Sequence, residues 1–239
     1  MDLQGKRVLI SGAARGLGRE LAALLAQEGC SLILVDRAPV LSASAQTRLC
    51  DLSDPLQRKE LIAEMKSAGV DILVNCAGVG SHSRLSQLTA EEIERVTQVN
   101  VLAPLELTAG LSPLELVVNV GSVAGEMNLP SMSLYGAGKS ALHAFTRSIQ
   151  LEGAKTLLVI LGPLRGTDFV QSIAHPRAGQ PNWYRRLDLP AETAARLIVK
   201  AMKRGRSQLV APGWYRVVVP LARILRPLIG FFASTSAWR

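Results

Sequence analysis

The chain of 239 residues is long enough for one α/β domain, and its 48% of apolar residues excludes an intrinsically disordered protein. No uncharged apolar run reaches the roughly 18 residues of a membrane-spanning helix, and the start of the chain shows no signal-peptide pattern. The net charge of +8 is concentrated at the end, where residues 193–239 contain nine bases and no acid. Cys30, Cys50 and Cys76 lack CxxC spacing, which predicts a reduced cytoplasmic protein without a metal site.

Short apolar runs alternate with amphipathic segments along the chain. Strands are predicted at 7–12, 31–36, 71–78, 114–120, 155–163 and 207–212. Helices are predicted at 18–29, 56–69, 89–107, 140–153 and 190–205. Strands that are apolar throughout are typical of a parallel sheet whose two faces are covered by helices. We therefore predict an α/β fold, a single Rossmann-type doubly wound parallel sheet over residues 1–212.

The stretch SGAARGLG lies between the first predicted strand and the first predicted helix. Glycine permits a tight turn and the close approach of a phosphate, and the free N–H groups at the start of the helix can bind that phosphate. The pattern predicts a dinucleotide-binding loop. Its residues are Gly12, Ala14, Arg15, Gly16, Leu17 and Gly18.

Asp36 ends the second predicted strand, where a carboxylate can bind the adenine ribose hydroxyls of NAD and would repel the 2′-phosphate of NADP. Arg15 and Arg37 are neighbours that can bind this phosphate instead, so NADP is the alternative cofactor. Further along, Asp51 and Leu52 are predicted to contact the adenine. Asp51 also suits the N-cap of the next helix, and the two roles are compatible.

Tyr135 and Lys139 are four residues apart and therefore share one face of a helix. A free phenol has a pKa of about 10, and a nearby ammonium group favours the phenolate, so we expect Lys139 to lower the pKa of Tyr135. Ser122 follows an apolar strand and can donate a hydrogen bond to a substrate oxygen. Asn100 is placed to kink its helix and to hold a water on a proton path to Lys139.

The pieces SGAARGLG, NCAG, Asn100, Ser122 and YGAGK, in this order, resemble the short-chain dehydrogenase/reductase family, in its Gly-xxx-Gly-x-Gly branch, over residues 5–212. The resemblance implies a catalytic tetrad of Asn100, Ser122, Tyr135 and Lys139. It also implies NAD(P)-dependent hydride transfer between nicotinamide and a small-molecule carbonyl or alcohol. Further cofactor contacts are expected from Asn75, Ala77, Gly78, Tyr135, Lys139, Pro163 and Thr167. Because three segments are shorter than is usual for the family, a homodimer is expected in place of its tetramer.

Residues 213–239 form a predicted basic, amphipathic C-terminal extension. On a helix, Arg216, Arg223 and Arg226 would share one face. The other face would carry the apolar residues Val219, Leu221, Ile224, Leu225, Leu228 and Phe232. Pro220 and Pro227 would break or kink this helix. We expect this apolar face to pack on protein, with a peripheral membrane contact as the alternative and no nucleic-acid partner. The competing function is a non-catalytic binding protein of the same fold that acts through this extension.

Two further features of the sequence have no single predicted role. The irregular segment 168–189 is predicted to be a lid or a surface loop. The three histidines show no metal-binding pattern, and His143 is expected to be a packing or surface residue.

Overall fold

The computed structural model describes residues 1–127, 129, 131–167 and 188–224. Its strands are β1 (Arg7–Ser11), β2 (Ser31–Asp36), β3 (Gln46–Leu49), β4 (Ile72–Asn75), β5 (Leu116–Ser122), β6 (Thr156–Leu161), β7 (Leu164–Arg165), β8 (Leu189–Pro190) and β9 (Gln208–Ala211). Its α-helices are α1 (Gly16–Gln27), α2 (Pro55–Ala68), α3 (Ala90–Thr97), α4 (Ala103–Leu111), α5 (Ser133–Leu151), α6 (Ala191–Lys203) and α7 (Tyr215–Ile224).

Seven strands form one parallel sheet in the order β3-β2-β1-β4-β5-β6-β9, and β7 and β8 form a separate two-stranded pair. The strand order reverses between β1 and β4, so the crevice beyond the carboxyl ends of these strands is the position where such sheets bind ligands. The predicted doubly wound α/β fold is confirmed.

The helices cover both faces of the sheet and enclose two apolar clusters. On one face, Leu21 of α1 and Ile198 of α6 are fully buried against the central strands. On the other face, Leu61 of α2 and Leu107 of α4 pack against Leu73 of β4. Apolar side chains on both sides of the strands explain why these strands read as continuous apolar runs.

Several local features differ from the sequence-based prediction, and α5 begins at Ser133 instead of residue 140. The short edge strand β3 was missed, because its sequence QTRL is mostly polar and its side chains are half-buried or exposed. The N-cap of α2 is Asp54, whose carboxylate accepts the N–H groups of Leu56 and Gln57, and so the prediction of Asp51 as the N-cap was wrong.

The start of the predicted C-terminal extension packs on the sheet. Tyr215 and Val219 of α7 are buried with Leu158 and Ile160 of β6. Leu221, predicted to share the apolar face with Val219, is instead 50% exposed. The helix also continues through Pro220, so it is not broken at this residue.

Parts of two predicted segments lie outside the described residues. They are 168–187 of the predicted lid and 225–239 of the extension, which include Arg226, Leu225, Leu228 and Phe232. Within the part of the chain that is described, no helix combines the length and the apolar character needed to cross a bilayer.

Candidate active site

The glycine loop after β1 is held against two other loops at the carboxyl edge of the sheet. Gly12 has φ 75° and Gly16 has φ 55°, a left-handed conformation that favours glycine. A Cβ on Gly12 would lie 2.7 Å from the Ala77 Cα, and one on Gly16 would lie 3.2 Å from the Thr167 Cγ2. The predicted cofactor residues after β1, β4 and β6 therefore converge, and the bare backbone of the loop fits a dinucleotide phosphate.

The Asp36 carboxylate lies at the same loop. Its Oδ2 accepts the Ala14 N–H at 2.9 Å and its Oδ1 accepts the Ala38 N–H at 3.0 Å. These bonds fix an anion beside the glycine loop at the end of β2. The contact of Asp36 with ribose hydroxyls stays a prediction.

The nearby Asp51 is engaged with its own turn. Its Oδ1 accepts the Ser53 N–H at 2.8 Å and the Ser53 hydroxyl at 2.7 Å. The Ser53 hydrogen bonds, together with the more distant charge of Arg37, lower the pKa of Asp51. Asp51 thus anchors the turn before α2 and lies near the charge of Arg37.

Three predicted cofactor residues have side chains that face the protein interior. Leu17 and Leu52 are buried in the apolar clusters on the two faces of the sheet. The Asn75 Nδ2 donates to Asn119 Oδ1 at 2.8 Å and to Thr108 Oγ1 at 3.3 Å. Burial and internal hydrogen bonds occupy these side chains, and the cofactor contact of these three residues stays a prediction.

Asn100 lies where the predicted helix 89–107 changes its winding. Residues Gln98–Leu102 form a π-helical turn between α3 and α4, as the predicted kink requires. The Asn100 Oδ1 accepts the Val79 N–H at 2.9 Å, and its Nδ2 donates to the Val79 carbonyl at 2.8 Å. A Cβ on Gly78 would lie 3.5 Å from both Asn100 Oδ1 and Lys139 Nζ, so three predicted residues meet here.

Ser122, Tyr135 and Lys139 come together at the end of β5. Tyr135, which is 7% exposed, forms a side-chain hydrogen bond with Ser122. The Lys139 Nζ lies 5.9 Å from the centroid of the Tyr135 ring and donates to the Val120 carbonyl at 2.8 Å. The three polar side chains that are scattered in the sequence thus form one cluster.

Burial controls the protonation of this cluster. It raises the pKa of Tyr135 to about 12, although the bond to Ser122 acts in the opposite direction. It lowers the pKa of Lys139 to about 8. Burial thus outweighs the lowering that was expected from Lys139, and the pKa of Tyr135 lies above its ordinary value. The phenol is protonated at neutral pH and can serve as a proton donor.

The sequence profile described as short chain dehydrogenase matches residues 6–177. The chain belongs to the short-chain dehydrogenase family. It is accordingly an oxidoreductase of the class that acts on CH–OH or C=O groups.

Curated relatives agree with this class. An uncharacterised oxidoreductase of Staphylococcus saprophyticus is 26% identical over 224 residues, which cover 85% of this chain and 94% of the relative. A 3-oxoacyl-(acyl-carrier-protein) reductase of Thermotoga maritima is 30% identical over 167 residues, 62% of this chain and 68% of that protein.

Solved structures share the whole fold. A short-chain dehydrogenase/reductase from Burkholderia phymatum in complex with NAD has a TM-score of 0.80 at 24% identity, covering 95% of this chain and 96% of that one. A short-chain dehydrogenase from Sphingobium yanoikuyae in complex with NADPH has a TM-score of 0.79 at 23% identity, with 98% of each chain covered.

The candidate site contains a buried histidine whose role the sequence did not indicate. His143 is 1% exposed, and its Nδ1 lies 2.8 Å from Glu126 Oε1. The Ser122 N–H donates to its Nε2 at 3.3 Å. The available signal was the spacing, since His143 follows Tyr135 by two helical turns and Lys139 by one, and so lies on the same face of α5.

A buried arginine supports the π-helical turn of the dehydrogenase and was also missed. Arg58 is 1% exposed and donates to the Gln98 side chain and the Leu52 carbonyl, each at 2.8 Å. Its Nε donates to Glu106 Oε2 at 2.7 Å. Arg58 thus ties α2 to Gln98 at the start of the turn that carries Asn100 and to Glu106 in α4, the helix that follows it.

Proposed function

We propose that this protein is an NAD(P)-dependent oxidoreductase that transfers a hydride between nicotinamide and a carbonyl or alcohol substrate, with Tyr135 as general acid and base. The observation that carries this proposal is the buried cluster of Ser122, Tyr135 and Lys139, joined to the glycine loop through Gly78. The bound nicotinamide would supply or accept the hydride. The chain itself supplies the binding site, the orientation and the proton.

The cofactor would be held at the carboxyl edge of the sheet. Gly12 and Gly16 leave the backbone open to the pyrophosphate, and the start of α1 directs N–H groups towards it. Asp36 would bind the adenine ribose. Because an anion at this position repels a 2′-phosphate, we propose that NAD is preferred over NADP.

The protonation states of the cluster suit reduction of a carbonyl. Ser122 would donate a hydrogen bond to the substrate oxygen, and Tyr135, protonated at neutral pH, would give that oxygen its proton as the hydride arrives at carbon. The reverse transfers produce the carbonyl from the alcohol. Lys139 is mostly an ammonium ion below its pKa of about 8 and would stabilise the phenolate that proton transfer leaves behind.

The decisive experiment measures NADH and NADPH oxidation with a panel of ketones and aldehydes, in the wild type and in Tyr135→Phe. Loss of the positioned proton donor should lower kcat by about 10²–10⁴-fold. Cofactor affinity, measured by NAD(P)H fluorescence, should remain close to that of the wild type. Tyr215→Phe removes the hydroxyl of another buried tyrosine and serves as the control. Near-normal turnover of Tyr135→Phe would refute the assignment.

Assembly and location stay predictions, namely a cytoplasmic homodimer whose residues 213–239 contact protein or a membrane surface. Exposure of Trp214, Val217 and Leu221 on and beside α7 supports a contact by this region. Size-exclusion chromatography with light scattering tests the dimer. Co-sedimentation with anionic and neutral vesicles at low and high salt tests the membrane contact.

A further inference from the structure

The end of β5 lacks strand support on one edge. β4 ends at Asn75, opposite Asn119, whereas β5 continues to Ser122. On the other edge β6 accompanies β5 as far as Leu161, opposite Ser122. Since the Val117 N–H points towards β6, alternation along the strand directs the backbone groups of Val120 and Ser122 to the edge that β4 has left.

Two side chains of α5, one helical turn apart, bind these two backbone groups. The Lys139 Nζ donates to the Val120 carbonyl at 2.8 Å, and the Ser122 N–H donates to His143 Nε2 at 3.3 Å. Together they replace the hydrogen bonds that a longer β4 would have provided. The second of these bonds holds the backbone of a residue whose hydroxyl belongs to the catalytic cluster.

The bond to Ser122 requires one tautomer of His143. A ring nitrogen that accepts an N–H must be unprotonated, so Nε2 carries no hydrogen and the neutral ring carries its hydrogen on Nδ1. That hydrogen is then donated to Glu126 Oε1, 2.8 Å away. A carboxylate on one ring nitrogen commonly selects the tautomer at the other.

Glu126 is kept anionic for this role. Burial opposes its ionisation, but hydrogen bonds from His143 and Arg147 outweigh burial and lower the pKa of Glu126 to about 2. Burial also lowers the pKa of His143 below its ordinary value, which favours the neutral ring. The Glu126 anion therefore lies between a neutral imidazole and the half-buried Arg147 guanidinium.

The space for the imidazole is created by glycine. A Cβ on Gly121 would overlap the His143 Nε2, and one on Gly125 would lie 2.8 Å from the His143 Cε1. Neither glycine has a positive φ, so the backbone conformation does not require glycine at these positions. The absence of both side chains lets the ring reach the Ser122 N–H.

We propose that His143, oriented by Glu126 and Arg147, is a positioning residue that accepts the Ser122 N–H and so holds the Ser122 hydroxyl at Tyr135. The inference rests on the proposed function, because its kinetic effect requires Ser122 to bind the substrate oxygen. His143 acts on the backbone of Ser122 and has no contact with the substrate in this scheme.

Two conservative variants separate the two bonds of the ring. His143→Gln can place an acceptor at the position of Nε2, which preserves the bond to Ser122. His143→Asn can place a donor at the position of Nδ1, which preserves the bond to Glu126 and removes the acceptor for Ser122. Both variants are compared with the wild type by thermal unfolding and by NADH affinity before kinetics are measured.

We expect His143→Asn to lower kcat about 10-fold or more, with KM for the ketone and NADH affinity nearly unchanged, since small displacements of catalytic groups are costly. His143→Gln should retain most of the wild-type kcat. A purely structural role would affect both variants through stability alone. Equal kcat values for the two variants, or a wild-type kcat in His143→Asn, would overturn the proposal.

A measurement independent of turnover is the tautomer of His143, obtained by ¹⁵N NMR of histidine-labelled protein without cofactor. We expect a protonated Nδ1 and an unprotonated Nε2 in the wild type, and a shift towards protonated Nε2 in Glu126→Ala. Protonated Nε2 in the wild type would overturn the proposal. If the wild type reduces no carbonyl in the panel, the proposed function fails, and the NMR result then decides the arrangement of His143 by itself.

Discussion

The loop after β1 and the end of β5 both contain essential glycines, but for different physical reasons. Gly12 and Gly16 adopt positive φ values that other residues rarely adopt. Gly121 and Gly125 have ordinary backbone conformations, and their missing side chains leave room for His143 and, at Gly125, also for the Lys139 backbone. The first pair serves the local backbone and a phosphate, whereas the second pair serves a side chain on a separate helix.

The difference shows which structural reasons for a glycine can be recognised from the sequence alone. Spacing of glycines between a strand and a helix indicates a turn and a phosphate site without knowledge of the rest of the fold. The need for Gly121 is evident only once α5 has packed on β5. Substitutions that distinguish backbone conformation from side-chain space therefore test the comparison directly.

The largest effect is expected for Gly12→Ala. A residue with a Cβ in the left-handed region costs about 1–2 kcal/mol, and overlap with the Ala77 backbone adds about 1–3 kcal/mol. The unfolding free energy, measured in urea, should decrease by the sum of these two costs. The affinity for NADH should decrease as well. Because the clash is with main-chain atoms, Ala77→Gly should not rescue the variant, and rescue would show that side-chain space is the limiting factor.

A smaller effect is expected for Gly121→Ala, since overlap with His143 should cost about 1–3 kcal/mol. Here the clash is with a side chain, so combining the change with His143→Ala should remove most of the added cost. A double-mutant cycle of unfolding free energies measures this coupling. Strictly additive effects would contradict the assignment of Gly121 to side-chain space.

The buried His143 at the end of β5 should make the stability of the protein decrease in acid. Burial, with the nearby charges of Lys139 and Arg147, lowers the pKa of His143, whereas Glu126 opposes this shift. Below a pH of about 6.5 the unfolded chain binds a proton that the folded chain resists, so the unfolding free energy decreases by up to about 1.4 kcal/mol per pH unit. The unfolding free energy, measured in urea between about pH 7 and pH 5, should depend less steeply on pH in His143→Gln than in the wild type. Equal slopes for the two proteins would refute this role of His143.

The smallest effect concerns Asp36 beside the glycine loop. Asp36→Ala removes repulsion of a 2′-phosphate and the bonds to ribose hydroxyls, so the preference for NADH over NADPH should narrow roughly 10-fold, or about 1.4 kcal/mol. Fluorescence titrations with both cofactors measure the ratio. If the unmodified protein binds NADPH more tightly than NADH, the prediction for Asp36 is refuted, and Arg15 and Arg37 would then determine the cofactor preference.

Apolar periodicity predicted most of the fold, and it failed where the signal was polar or interrupted. The edge strand β3 has no apolar run, and the predicted helix 89–107 is divided by the π-helical turn at Asn100. The hydrogen bonds of the Asn75 side chain to Thr108 and Asn119 were not predicted, because a position at a strand end does not reveal them.

The sequence by itself determined the parallel α/β fold, the glycine loop and the order of Asn100, Ser122, Tyr135 and Lys139, because these depend on periodicity and on short spacings. Tertiary structure alone decided that burial raises the pKa of Tyr135 and that His143 accepts the Ser122 N–H. Both properties arise from surroundings supplied by distant segments. Desolvation and the choice of a hydrogen-bond partner depend on three-dimensional packing, which local residue patterns do not encode.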